Sequence, residues 1–413
     1  MVRTEKGVNK LSVKDTFRRW LILALVACAV MLGMSVWLTA AAIGNVLQLK
    51  WSLSPNEVGW LVTAVQLGFV IGAFGAAVFN LADLLPARVY FSVSAALAGC
   101  ANAGLMVANN YEWALALRFL TGFCLAGVYP PSMKMIATWF RTSRGMAIGT
   151  IVGALTVGKA SPYLFKAIGE SSFSVVIWGT SLAALISGLL VGLLYKDGPH
   201  GFQRASFSWK HILVVINHRP TRLATYGYLG HMWELYAMWT WVPAFMLASF
   251  SSWSSQVESS RIEFWVDLSS FGVISIGGAG CIWGGLMADR IGRKKLVNAA
   301  MLVSGSCCVV VGFLFGQSPW LLLPLLLVWG FFVVADSAQF SAMVTEVAPQ
   351  NVVGTALTLQ TSLGFLLTML TIQGVPFLTE IVGWKWSFAF LSLGPLAGIQ
   401  CIRKLKGIHE GSG

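Results

Sequence analysis

The chain has 413 residues, 56% of them hydrophobic and only 11% charged, with a formal net charge of +12. An average soluble domain carries roughly 25% charged residues, so this composition excludes an ordinary soluble core. The basic excess is scattered between apolar stretches and forms no separate basic domain, which argues against a nucleic-acid partner.

Apolar runs long enough to span a bilayer, about 20 residues each, recur along the whole chain. Twelve are predicted: 18–47, 56–79, 86–108, 112–139, 145–168, 172–195, 222–250, 264–287, 296–316, 319–345, 351–378 and 384–402. The first run is too long for the apolar core of a cleaved signal and is read as a span. With the N-terminus inside, most lysines and arginines collect on the cytoplasmic side, as membrane topology requires. The seven cysteines all lie in apolar runs without CxxC spacing, so packing is their reading, with no disulfide and no metal site expected.

The fifth run holds "GALTVGKAS", residues 153–161, which superficially matches a phosphate-binding loop. Ala160 stands where such a loop needs Ser or Thr, and more helix precedes Gly153, so a nucleotide site is excluded. Gly145, Gly149 and Gly153 instead make one smooth face for a neighbouring helix. Lys159 lies roughly 21 Å along this helix, in the outer half of the bilayer. Its stem can snorkel to the surface, or its charge can serve a substrate.

The longest polar stretch, 196–222, divides the runs six and six. That predicts an all-α membrane protein of two six-helix bundles: 1–195, a cytoplasmic linker at 196–221, and 222–413. Such repeats are the plan of many secondary transporters. The loops "NLADLLPARVYF" and "LMADRIGRKKLVN" place Asp83 and Asp289 equivalently in the two halves.

"GLMADRIGRKK", 285–295, resembles the cytoplasmic signature loop of the major facilitator superfamily, at Gly285, Asp289, Arg290, Gly292, Lys294 and Lys295. The copy after the second run keeps only Asp83 and Arg88. "RFLTGFCLA" is similar to the family's fourth-helix motif, at Arg118, Gly122 and Ala126. "GFCLAGVYPPSMKMIATWF" and "RGMAIGTIVGALTVG" look like a bacterial branch often filed near nitrate/nitrite carriers. The arginines with which nitrate carriers hold their anion, in the second and eighth helices, have no counterpart here. The resemblance implies twelve helices around a central cavity lined chiefly by helices 1, 4, 7 and 10. It also implies a bacterial inner (plasma) membrane location with both termini cytoplasmic.

Ionisable residues inside a membrane are costly and are functional candidates by default. Five stand out: Arg118, Lys159, His231, Glu234 and Asp336. Glu234 falls near the midplane, roughly 18 Å from the cytoplasmic end of its run. His231 shares its face one turn away. A carboxylate in low dielectric can hold a proton and release it when water arrives, which is what proton coupling requires. Bonding to a neighbouring helix is the competing reading for Glu234, His231 and Asp336 alike. Arg118 and Lys159 are candidates for an anionic substrate, with interhelical ties or snorkelling as alternatives. Trp37, Thr39, Tyr129, Trp241 and Gln360 are further candidates for lining the cavity. Asp83, Arg88, Asp289, Arg290 and Arg293 are assigned to gating on the cytoplasmic side.

The expected function is a proton-coupled secondary transporter of a small, anionic solute, acting by alternating access. It needs no cofactor beyond the proton gradient, performs no enzyme chemistry, and works as a monomer in the lipid bilayer. Efflux of amphipathic compounds and a transport-dead sensor or scaffold are the alternatives.

Overall fold

The structure, a computed structural model, describes residues 13–140, 144–169, 172–200, 208–253 and 259–406. Among them the regular elements are all helical. Twelve principal helices follow the predicted runs: α1 (Val13–Gly33), α2 (Pro55–Val78), α3 (Ala87–Ala103), α4 (Tyr111–Leu125), α5 (Arg144–Ile168), α6 (Phe173–Leu194), α7 (Arg219–Trp253), α8 (Ser259–Ile291), α9 (Arg293–Phe313), α10 (Pro319–Ala335), α11 (Val353–Trp386) and α12 (Leu393–Arg403). Nine stretches among the described residues are long and apolar enough to cross a membrane. Of the others, α5 and α7 match them in length and carry Lys159 and His231 with Glu234, while α12 is shorter.

Local chemistry sets the helix starts. Before α2, the Ser54 hydroxyl accepts from Glu57 N–H (3.3 Å) and the Glu57 carboxylate accepts from Ser54 N–H (2.7 Å). Pro55 then opens the helix where no N–H partner is needed. Asn110 caps α4 by accepting from Trp113 N–H at 3.0 Å. Between α8 and α9 the chain turns on Gly292 at φ 89°, a backbone region that L side chains rarely adopt.

Three predicted spans are interrupted rather than continuous. The first breaks after α1 into a 3-10 turn, Met34–Val36, and two short helices, Thr39–Ala42 and Gly44–Trp51. The fourth breaks after Leu125 and resumes as Tyr129–Ala137, where Pro130 and Pro131 lack the N–H groups that a continuous helix uses. The tenth breaks at Asp336 and resumes as Ser337–Val347. The predicted last span, 384–402, starts just past Gly383, whose backbone (φ 70°, ψ 171°) is not helical and kinks the chain there. From Trp384 the chain continues through a 3-10 turn, Ala389–Ser392, into α12.

In the first half α2 packs on α4, α3 on α6, and α1 on both α5 and α6. In the second half α8 packs on α10, α7 on α11 and α12, and α9 on α10 and α12. Two pairs join the halves, α5 with α8 and α2 with α11. The glycine face of α5 makes the first of these close. A Cβ on Gly153 would lie 2.9 Å from the Gly278 carbonyl oxygen, and one on Gly149 3.3 Å from that of Cys281. The periphery is apolar, with Val93 and Leu97 of α3, Leu182 and Leu189 of α6, and Leu302 and Phe313 of α9 exposed. This is the surface a bilayer covers.

Candidate functional site

The break after α1 places Trp37, 1% exposed, between the two halves. Its ring centroid lies 5.1 Å from Phe69 of α2, 5.9 Å from Tyr236 of α7 and 5.7 Å from Phe365 of α11. Tyr236 also meets Trp239 (5.3 Å) and Phe365 (5.2 Å). Lys159 enters this aromatic group from α5. Its Nζ stands 3.9 Å from the Trp37 ring centroid, 4.7 Å from that of Tyr236 and 5.5 Å from that of Trp239. It also donates to the Tyr236 hydroxyl. At 2% exposure Lys159 does not snorkel.

Among the described residues no carboxylate lies within ion-pair distance of Lys159. A desolvated cation–π contact contributes about 2 kcal/mol. Removing one ion from water costs several kcal/mol. The rings and one hydroxyl therefore offset only part of the burial of an ammonium, and an anionic group would complete it. Other buried polar groups are also unmatched. The indole N–H groups of Trp37 and Trp239, Nε2 of Gln66 and both the oxygen and the nitrogen of the Gln360 amide have no hydrogen-bond partner among the described residues. Each such group costs about 1–3 kcal/mol.

Arg118 is fully buried but faces elsewhere. It donates to Asn102 Oδ1 of α3 (2.9 Å) and to the Trp37 carbonyl (2.6 Å). Asn102 donates in turn to Thr180 and Ser181 of α6, and Thr180 accepts from Thr39 at 3.4 Å. Arg118 and Thr39 thus tie α4, α3 and α6 around the break. Trp37 stands between the two cations, its carbonyl on Arg118 and its ring on Lys159.

On α7 the expected common face splits. Glu234 turns into the second half and accepts from Trp329 Nε1 (2.5 Å), Ser304 Oγ (2.9 Å) and Cys308 Sγ (3.3 Å). Three donors on one carboxylate bind α7 to α9 and α10. His231 meets Asp336 instead, Nδ1 to Oδ1 at 2.9 Å, while its Nε2 lies 3.0 Å from Ser337 Oγ. The structure therefore joins two candidates that the sequence left apart, at the break of the tenth span. Trp241 donates to the Ile372 carbonyl of α11 (2.8 Å). Tyr129 is half-buried at the restart of the fourth span.

A cavity of about 140 Å³ opens between the halves on the side of the α1–α2 and α7–α8 connections. Tyr163, Lys166, Thr240, Trp241 and Asp267 are among its lining. Lys166 Nζ lies 3.1 Å from Asp267 Oδ1, with both side chains buried. The sequence reading passed over Asp267, although an acid inside the run 264–287 is itself a signal. It also missed Tyr236, Phe69, Phe365 and Gln66, since one more apolar or amide side chain in an apolar helix is unmarked.

On the opposite, basic side, Arg293 donates to Glu346 (2.7 Å) and Gln339 (2.7 Å). The Asp289 carboxylate lies beside the first turn of α5, 3.7 Å from where a Cβ on Gly145 would stand. A negative charge is favoured there by the helix dipole. Arg88 and Arg290 are exposed, and the Asp83 side chain lies outside the described residues.

The sequence profile of the Major Facilitator Superfamily matches residues 25–372. The chain is 23% identical to a niacin transporter of Acinetobacter baylyi, over 68% of each chain. It is 24% identical to a probable 4-methylmuconolactone transporter of Cupriavidus pinatubonensis, over 88% of this chain and 85% of that one. It is 21% identical to the hexuronate transporter of Escherichia coli, over 93% of each. Among solved structures it is similar to the nucleoside transporter NupG, with a TM-score of 0.70 at 14% identity, covering 94% of this chain and all of that one.

Proposed function

We propose, from the premise that this chain belongs to the Major Facilitator Superfamily, that it carries a small organic anion across the membrane together with protons. It is a membrane transporter and not an enzyme. The observation that carries the substrate reading is Lys159. It is a lysine buried between the halves, held by rings and a hydroxyl, with no carboxylate beside it among the described residues. Niacin, hexuronate and galacturonate, named for relatives of this chain, are all carboxylates, which supports the same class. Rings around the ammonium suit a solute whose carboxylate sits on a compact organic body. Alternating access fits a cavity open on one side while the glycine face of α5 holds the other side shut against α8. His231 with Asp336, at a helix break, is the pair best placed to respond to a proton from the basic side. The basic side is assigned to the cytoplasm and the membrane to the bacterial inner membrane, from the distribution of lysine and arginine.

The test is flux into proteoliposomes for nicotinate, galacturonate, glucuronate and benzoate, with benzamide and a lipophilic phosphonium cation as controls. Saturable uptake of at least one anion is expected, stimulated by an inward proton gradient. Lys159→Ser should reduce its apparent affinity at least about tenfold, an effect of 1.4 kcal/mol or more. Transport of the phosphonium cation alone, undiminished in Lys159→Ser, would replace this reading with efflux of amphipathic compounds.

A further inference from the structure

Lys166 and Asp267 form a buried ion pair between α5 and α8, and so between the two halves. Their side chains are 7% and 2% exposed, yet both line the cavity that opens on the side opposite the basic loops. The pair uses only one carboxylate oxygen. Among the described residues, Asp267 Oδ2 and the Tyr163 hydroxyl are buried at this cavity without a hydrogen-bond partner. The titratable groups of the lining among the described residues are Tyr163 and Lys166 of α5 and Glu263 and Asp267 of α8. The lining from the first span, α2, α7 and α11 is uncharged.

This cavity lies one helical turn from the central site along both α5 and α7. Tyr163 lies one helical turn beyond Lys159, and Thr240 one turn beyond Tyr236, whose carbonyl accepts from Thr240 Oγ1 at 2.7 Å. Lys166 and Lys159 thus stand two turns apart on one helix, the first at the cavity and the second in the aromatic group.

We propose that Lys166 is the entry site for the carboxylate of the transported anion, and that Asp267 takes the proton that travels with it. The proposal rests on the reading of an organic-anion carrier. An anion arriving alone would share Lys166 with Asp267 and leave a net negative charge in low dielectric. A proton arriving alone would neutralise Asp267 and leave the Lys166 ammonium without a counter-charge. Each is unfavourable for buried ions. When both arrive, a proton from the outer solution joins the Asp267 carboxylate, the ammonium transfers to the substrate carboxylate, and the site keeps its net charge. Release of Lys166 also removes the ion pair that holds α5 to α8 on this side. For a monovalent carboxylate the exchange is one proton per anion and electroneutral.

The test uses the full-length protein in lipid nanodiscs, with nicotinate, galacturonate, glucuronate and benzoate as probes. For the wild type, the Kd of a bound anion should fall about tenfold for each pH unit lowered from about pH 8, as uptake of one proton per anion requires. Asp267→Asn should abolish this slope, and the paired change Lys166→Gln with Asp267→Asn, which removes both buried charges together, should abolish the slope and weaken binding. In proteoliposomes, accumulation of a monovalent anion should follow the pH gradient and ignore an imposed potassium diffusion potential. A wild-type slope retained in Asp267→Asn or in the paired variant would overturn the assignment while the anion reading stands, as would accumulation driven by the potential alone. Absence of binding by all four anions at every pH would overturn the anion reading, and this inference with it.

Discussion

Lys159 and Glu234 show how neighbours decide the role of a buried charge. Both lie deep in apolar helices and both are nearly inaccessible to solvent. Glu234 is surrounded by donors from α9 and α10, which suit a carboxylate that stays in place. Lys159 faces rings, one hydroxyl and the other half of the molecule. Glu234→Gln can keep its carbonyl oxygen towards Trp329 and Cys308, but its amide N–H₂ then replaces the oxygen that accepts from Ser304, and a carboxylate with three donors becomes a neutral amide with two. We expect this variant to lose about 1–3 kcal/mol of stability, seen as a lower melting temperature in detergent, with the pH dependence of transport unchanged. A wild-type melting temperature with loss of pH-driven uptake would instead make Glu234 a coupling residue.

Three helices of the central set, the first, fourth and tenth, are discontinuous, while α7 is continuous. Trp37 follows the break in the first span, Tyr129 restarts the fourth, and Asp336 divides the tenth. Such breaks free backbone groups and are tolerated where protein or a cavity surrounds them. The continuous helices α5 and α8 serve a different purpose, as a glycine-lined contact along which the halves meet. Gly153→Leu would drive a branched side chain into the Gly278 backbone. The expected result is separation of α5 from α8 and a large fall in turnover, with the melting temperature also lowered. Cross-linking yields between cysteines placed on these two helices would measure the separation, and unchanged yields with normal transport would refute it.

For the whole molecule, the two halves meet in layers: Asp289 beside the start of α5, the glycine contact, the aromatic group with Lys159, and Lys166 with Asp267. A carrier alternates by opening one end of such a stack while the other stays shut. The His231–Asp336 pair lies in the second half and outside the lining of the cavity, and in the proposed cycle it serves the step that faces the basic side. Asp336→Asn should therefore slow pH-driven net uptake several-fold, while anion exchange at equal pH on both sides persists. Loss of exchange together with net uptake would assign Asp336 to substrate binding.

Composition and period are legible in one dimension. The apolar runs, the basic loops between them and the motif "GLMADRIGRKK" gave a twelve-helix transporter. The four-residue spacing of Gly145, Gly149 and Gly153 gave a close helix contact, which α8 supplies. These features are local, so a window of one helix contains them. Tertiary structure alone decided which way each buried group faces. Arg118 and Lys159, read together as a pair of cations, are separated by Trp37. His231 and Glu234, read as one face, point to different partners. Lys166 and Asp267, near opposite ends of helices from different halves, meet at 3.1 Å. A fraction of a turn around the helix or a break of a few residues changes a side chain's neighbours without changing hydropathy. The identity of those neighbours, from helices distant in the chain, determines whether a charge is tied down or left for a substrate.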